Sequence, residues 1–167
     1  MMPWYEVSVS LHILAACVWV GGMIFLATVV LPILRQPGYQ AVAVPLIQAA
    51  GLRFGWVGWM ALGTLVLTGI ANLRFRGYGW TQWRDGTVWQ GWFGHTLAAK
   101  LILVTAILVI SAVHDLVLGP RFTRIAGEQP DLSAVRHLRR QAAWIGRLAL
   151  LLSVAAVVLG VMLVRGV

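Results

Sequence analysis

The stretch VSVSLHILAACVWVGGMIFLATVVLPIL, from Val7 to Leu34, decides the fold, because it contains no Asp, Glu, Lys or Arg. A bilayer core about 30 Å thick requires about 20 consecutive apolar residues of helix, so this stretch is long enough to cross a membrane. No basic residue precedes it, and it is longer than the apolar core of a signal peptide. We therefore expect it to be a mature membrane helix and not a cleaved leader.

Three more apolar stretches of this kind follow, and 60% of the chain is hydrophobic against 11% charged. The predicted spans are residues 5–31, 53–73, 92–118 and 142–164. The first is expected to stop near Pro32, because proline removes a backbone donor. The uncharged segment 36–52 is interrupted by prolines and glycines, which is typical of an interfacial half-helix. The sequence predicts an all-α membrane protein, a four-transmembrane-helix bundle formed by a single transmembrane domain over residues 1–167, with a short interfacial segment between helices 1 and 2.

The net charge of +8 comes from basic residues in the connections between the apolar stretches, which is a pattern of membrane topology and excludes a nucleic-acid-binding surface. Eight arginines lie in or beside the first and third connections and four lie on the opposite side. Basic residues are retained on the cytoplasmic side. The chain is therefore predicted to be a multi-pass protein of the cell inner (cytoplasmic) membrane with both termini outside.

Two segments of the chain share the pattern W-x-G-x-x-A-L, Trp56–Leu62 in the second helix and Trp144–Leu150 in the fourth. A duplicated helix pair would explain the pattern. Small residues and leucines are also common in all membrane helices, so chance is the alternative explanation.

Ionisable residues within apolar stretches are the best functional candidates, because a polar group in lipid is costly unless a partner or cavity receives it. His12, Lys100 and His114 qualify, and His95 lies at the outer end of the third helix. At about 1.5 Å per residue, His12 and His95 both lie roughly 5 to 10 Å below the outer interface. Two imidazoles at one level are what the two axial positions of a haem iron require, so both are predicted metal ligands.

Further residues support a cofactor near the outer surface. Trp19 shares one face of helix 1 with His12 and is predicted to contact the cofactor. The same face carries Ala15, Ala16, Gly22 and Met23, and its small residues are expected to leave room for a flat ring. Three arginines of the second connection, Arg74, Arg76 and Arg84, are predicted to pair with haem propionates.

Each candidate also has a simpler explanation. A histidine near the interface can hydrogen-bond a carbonyl or water, and the tryptophans can form an aromatic belt. Lys100 can extend its ammonium towards the outer surface or hold a carboxylate. His114, beside Asp115, can hold a second metal ion together with Met23 or can complete a helix end. The single cysteine, Cys17, excludes an intrachain disulfide.

The run from Leu11 to Phe25 resembles the L-H-x-x-x-x-x-x-W-x-G-G-x-x-F opening shared by the membrane domain of CopD copper-resistance proteins and by HemJ-type proteins. The run Lys100–Val104 resembles a helix start in both families, and Arg53-Phe54 with Leu67-Thr68-Gly69 resembles the CopD domain. The HemJ resemblance implies haem b, a ligand at His12 and a role for Lys100. The CopD resemblance implies copper movement across the inner membrane instead.

These observations predict a haem b-binding integral membrane protein that acts in electron transfer or small-molecule oxidation. In the second case it would be a haem-dependent oxidoreductase. Copper or other small-solute transport, CopD-like, is the alternative, but the five methionines are scattered and do not pair on a helix face as copper(I) ligands would. The third hypothesis is a structural subunit whose polar residues only hold the helices together. A homodimer is expected from the glycines of helix 2, namely Gly55, Gly58, Gly63 and Gly69.

Overall fold

Four long helices make up most of the protein in a computed structural model that describes residues 3–118 and 132–166. Helix α1 spans Pro3–Leu34, α2 spans Gln40–Phe75, α3 is a short helix at Trp80–Arg84, α4 covers Gly91–Val113 and α5 covers Leu132–Arg165. All except α3 are long and apolar enough to cross a membrane. The predicted all-α, four-transmembrane-helix membrane protein is confirmed.

Helix α1 passes through Pro32 and does not stop there as the sequence predicts. Its α-helical part ends at Phe25, a π-helical segment covers Leu26–Val30, and one more α-helical turn ends at Leu34. Proline has no N–H to donate and clashes with the carbonyl one turn earlier, and a π-helical segment accommodates both effects. The hydroxyl of Thr28 donates to the carbonyl of Ile24 at 2.8 Å within this region.

Helix α2 begins earlier than predicted, because the segment expected to lie at the interface is its first part. The helix starts at Gln40 and contains Pro45 in its second turn, so only hydrogen bonds close to the helix start are affected by the proline. Its other end is a Schellman motif, in which Gly77 N–H donates to Arg74 O and Tyr78 N–H to Leu73 O, both at 3.0 Å. Gly77 has a φ of +88°, a conformation that glycine adopts without strain.

The last helix also begins before its predicted start. Leu132 is its first residue, whereas the apolar span was predicted from residue 142. The residues between these points are largely polar, so hydropathy identifies the part that crosses the membrane and not the helix start. Helix α4 continues from Val113 into a π-helical segment at His114–Leu118.

The chain divides into two compact units, Met1–Val88 and Trp89–Val167, and each unit is a pair of packed helices. In the first unit α1 packs on α2, and in the second α4 packs on α5. The prediction of one domain over the whole chain stays a prediction.

The first helices of the two units correspond at a spacing of 88 residues. The first helices start at Pro3 and Gly91 and are both 23 residues long before their π-helical segments. Those segments, Leu26–Val30 and His114–Leu118, also correspond at this spacing. Pro32 corresponds in the same way to Pro120, and the W-x-G-x-x-A-L pattern at Trp56 to its copy at Trp144.

Four pairs of buried positions follow the same correspondence. The matched pairs that are buried in both units are Ser8 and Thr96, Trp19 and Ile107, Ala61 and Ala149, and Thr68 and Ala156. A chance recurrence of one short motif would not align helix lengths, π-helical segments and buried positions with a single spacing. The structure therefore favours duplication of a helix pair.

Candidate functional site in the first helix pair

His12 lies on the face of α1 that packs against α2, among the apolar residues of the span. Its Nδ1 lies 2.8 Å from the hydroxyl oxygen of Thr68 on α2. Its Cε1 lies 3.7 Å from the position that a Cβ on Gly69 would take, so the ring edge faces this glycine of α2. The imidazole therefore lies between two helices and is held to α2 by one hydrogen bond.

Polar atoms surround this contact, and we call the group Ser8, His12, Thr68 and Asn72 the polar seam. The hydroxyl of Thr68 donates to the carbonyl of Thr64 at 2.6 Å. The hydroxyl of Ser8 donates to the carbonyl of Thr68 at 3.5 Å. The side-chain oxygen of Asn72, one turn further along α2, is buried and accepts no hydrogen bond from the described residues. The polar seam thus offers an imidazole and a buried acceptor within an apolar helix pair.

The small residues beside His12 do not leave room for a flat ring, and that prediction is wrong. Gly22 receives the ring of Phe54, which occupies the place of a side chain. Gly58 of α2 receives Trp19, whose Cζ3 lies 2.6 Å from the position of a Cβ on that glycine. The rings of Trp19 and Phe54 are stacked with centroids 5.8 Å apart. Periodicity identified the correct face of α1, but the second helix fills it.

The ring of Trp19 packs between α1 and α2, and its predicted contact with a cofactor stays a prediction. Gly58 and Gly69 likewise face α1 within their own helix pair. Of the four glycines predicted to form a homodimer contact, Gly63 is exposed and has no atom within 4 Å of its Cβ position.

The predicted propionate partners Arg74, Arg76 and Arg84 are exposed, at the end of α2 and in α3. This connection also holds Asp85, whose carboxylate accepts hydrogen bonds from the backbone N–H of Thr87 at 3.0 Å and from its hydroxyl at 2.8 Å. These bonds favour the ionised form and lower the pKa of Asp85 below its ordinary value of 3.8.

The remaining candidates belong to the second helix pair. His95 is exposed on the first turns of α4. The ammonium of Lys100 lies 3.0 Å from the position of a Cβ on Gly160 of α5, so the side chain runs along the contact between these helices. Lys100 is the residue of the second unit that corresponds to His12 at the 88-residue spacing.

His114 and Asp115 form a pair with Nδ1 and Oδ1 2.9 Å apart. Among the residues that the structure describes, no three His, Cys, Asp or Glu side chains are grouped as a metal site. The predicted cytoplasmic arginines Arg121 and Arg124 lie outside the described residues.

Comparison with known proteins places the chain in a family. Residues 14–131 match the family described as a domain of unknown function, DUF4149. An uncharacterized protein of Aquifex aeolicus (strain VF5) is 33% identical over 158 residues, which cover 93% of this chain and 92% of the relative. This chain belongs to the DUF4149 family. No solved structure matches it.

The DUF4149 match includes Thr68, Asn72, His95 and Lys100, and it begins two residues after His12. The resemblance to CopD and HemJ-type proteins therefore stays a prediction from the quoted motifs.

Thr68, Asn72 and Gly160 lie beside polar groups within the spans, and the sequence did not predict this. A hydroxyl or amide in an apolar helix was the available signal, but hydropathy gives no indication of which side chain on another helix it meets.

Proposed function

We propose that this DUF4149 protein binds haem b in the membrane, with His12 as an axial ligand of the iron, and that it acts in electron transfer or small-molecule oxidation. One observation carries the proposal: the imidazole of His12 lies within an apolar span and is held by the hydroxyl of Thr68 at 2.8 Å. Imidazoles that ligate metals are usually oriented through their other ring nitrogen by such a hydrogen bond. When bound, haem would supply one-electron chemistry at its iron.

Three exposed arginines of the first helix pair would hold the propionates of such a haem. Arg74 and Arg76 are exposed where α2 ends, and Arg84 is exposed in α3. Guanidinium groups are suited to the two oxygens of a propionate, because they donate two parallel hydrogen bonds. His95 as second axial ligand, and Lys100 as the partner of a carboxylate, are retained in the proposal from the sequence prediction.

The membrane and its orientation are part of the proposal. The arginine distribution favours the cytoplasmic membrane with both termini outside. Alkaline phosphatase fused after Arg165 should be active, whereas green fluorescent protein fused there should not fluoresce after export. The reverse pattern would refute this orientation. A homodimer is proposed on the sequence prediction alone, and the mass of the protein in a detergent micelle tests it.

The decisive experiment is the visible spectrum of the purified protein. The full chain, produced with an ample haem supply and extracted in detergent, should show a Soret band. His12→Ala should abolish or shift the band and His95→Ala should change it, whereas His114→Ala, at a helix end, serves as the matched control. A colourless wild-type protein refutes haem binding, and metal analysis for copper then tests the CopD-like alternative.

If only His114→Ala disturbs the spectrum, the cofactor is present but the assignment to His12 is wrong. Haem content per chain, measured by pyridine haemochrome, distinguishes a bound cofactor from trace carry-over.

A further inference from the structure

The proton on the hydroxyl of Thr68 determines which nitrogen of His12 is protonated. A hydroxyl group has one proton to donate and two lone pairs that accept. The 2.6 Å distance from Thr68 Oγ1 to the carbonyl of Thr64 directs that proton to Thr64, a bond that threonine commonly makes within a helix. Towards His12, Thr68 therefore presents a lone pair. The nitrogen at 2.8 Å, Nδ1, must carry the proton and donate it.

A neutral imidazole with its proton on Nδ1 has its lone pair on Nε2, and this lone pair is what a metal ion binds. We propose that Thr68 is a positioning residue that fixes His12 in the tautomer able to ligate a metal through Nε2. The identity of the metal as haem iron rests on the proposed function above. The tautomer and its dependence on Thr68 do not.

The second helix pair provides an internal comparison for Thr68. At the 88-residue spacing its counterpart is Ala156, and the two residues are similarly buried, with 8% and 9% of their surface exposed. Helix α5 thus buries this position without a hydroxyl. The counterpart of His12 is Lys100, an ammonium that has donors only and no tautomer to select. The hydroxyl is present in the helix pair that carries the imidazole and not in the other.

Gly69 lies beside the same ring, with the Cε1 of His12 3.7 Å from the position that a Cβ on this residue would take. This is an ordinary van der Waals distance for an added methyl group, so Gly69 leaves space at the ring edge. The structure therefore assigns the orientation of His12 to the hydroxyl of Thr68, which chooses the tautomer.

The first test uses the haem-free full chain in nanodiscs, labelled with 15N-histidine, at about pH 8, where an unperturbed imidazole is neutral. The shifts of the ring nitrogens distinguish protonated from unprotonated nitrogen, and His12→Gln identifies the His12 signals. Wild type and Thr68→Ser should have the proton on Nδ1. Thr68→Val and Thr68→Ala should gain a population with the proton on Nε2. Thr64→Val is the matched control, because its hydroxyl donates to Met60 O at 2.8 Å.

Wild-type protein with the proton on Nε2, or an unchanged tautomer in Thr68→Val and Thr68→Ala, would overturn the proposal. Thr68→Ala is included because Ala156 shows that alanine fits a corresponding buried position. A folded spectrum of this variant therefore makes loss of the tautomer attributable to the hydroxyl.

The second test measures metal binding. Loss of such an orienting partner typically lowers metal affinity by about 10- to 100-fold. Haem titration should show this loss for Thr68→Val, with recovery in Thr68→Ser and no change in Thr64→Val. Equal losses in the Val and Ser variants would contradict the role of the hydroxyl. If the wild type binds no haem but its His12 tautomer depends on Thr68, the haem proposal fails and the positioning role stands.

Discussion

Trp19 packs against Gly58, so Gly58→Ala should destabilise the protein more than Gly146→Ala, the same substitution in the second W-x-G-x-x-A-L segment. A Cβ on Gly58 would lie 2.6 Å from Cζ3 and 3.2 Å from Cε3 of Trp19. Ordinary carbon contacts are about 3.5–4.0 Å, so in Gly58→Ala the ring or the helix must retreat by about 1 Å. Trp19 is buried and stacked on Phe54, so the ring has little freedom to move. Overpacking of this kind costs about 1–3 kcal/mol.

Gly146 is the matched control, because it occupies the same position in the second W-x-G-x-x-A-L segment. It is exposed, and no atom lies within 4 Å of its Cβ position. Both alanine variants gain about 0.8–1.0 kcal/mol of helix propensity over glycine. This gain cancels when the two are compared. Gly58→Ala should therefore be less stable than Gly146→Ala by about 1–3 kcal/mol.

The assay is equilibrium unfolding in mixed micelles at increasing SDS fraction, followed by far-ultraviolet circular dichroism. Equal unfolding free energies for the two variants would refute the packing of Trp19 into Gly58. A Trp19→Leu background provides the double-mutant cycle, in which the cost of Gly58→Ala should decrease because the clashing ring is absent. An unchanged cost would place the clash elsewhere.

Three further predictions concern the turn at Asp85, the end of α2 and the start of α4. The pKa of Asp85 is lowered, so its carboxylate stabilises the folded turn at pH values above its ordinary pKa of 3.8, and this stabilisation is lost as the pH falls through the pKa of the folded state. Thr87→Ala removes the hydroxyl that donates to the carboxylate and should raise the pKa of Asp85 in a carboxyl 13C titration. Gly77→Ala should cost about 1–2 kcal/mol in the SDS assay, because φ is +88° there, and a neutral effect would contradict the Schellman end of α2. Gly94→Ala should be at least as costly as Gly58→Ala, because the added Cβ would meet the backbone of Trp89, including Cα at 2.6 Å, and backbone moves less readily than a side chain. Wild-type stability of Gly94→Ala would refute the close contact between Gly94 and Trp89.

The number of spans could be predicted from the sequence because the need for about 20 apolar residues per crossing is a property of the bilayer. The residues at which the helices start could not be predicted in this way. Helix α2 begins at Gln40 and α5 at Leu132, outside the apolar windows, because a helix satisfies its backbone hydrogen bonds in lipid and in water alike. Pro32 was expected to end α1, but the π-helical segment before it lets the helix continue.

The polar seam was only half predictable. The cost of burying an imidazole in lipid pointed to His12, and the structure places it at a helix contact. Thr68 lies 56 residues away in the chain, and no local pattern relates the two. Periodicity also cannot distinguish a face open to a cofactor from one filled by another helix, which is why Gly22 was misinterpreted.

The duplicated helix pair gives these observations a common explanation. Packing positions such as Ala61 and Ala149 are buried in both copies. The copies differ at the helix contact where α1 or α4 carries an ionisable residue: His12 faces Thr68 and Gly69, whereas Lys100 faces Gly160. A lone pair and an ammonium suit opposite kinds of ligand, a metal ion and an anionic group. A chemical difference between the two helix pairs therefore lies at this level of each contact, and exchanging His12 and Lys100 should abolish binding in a haem titration while leaving the helix pairs folded.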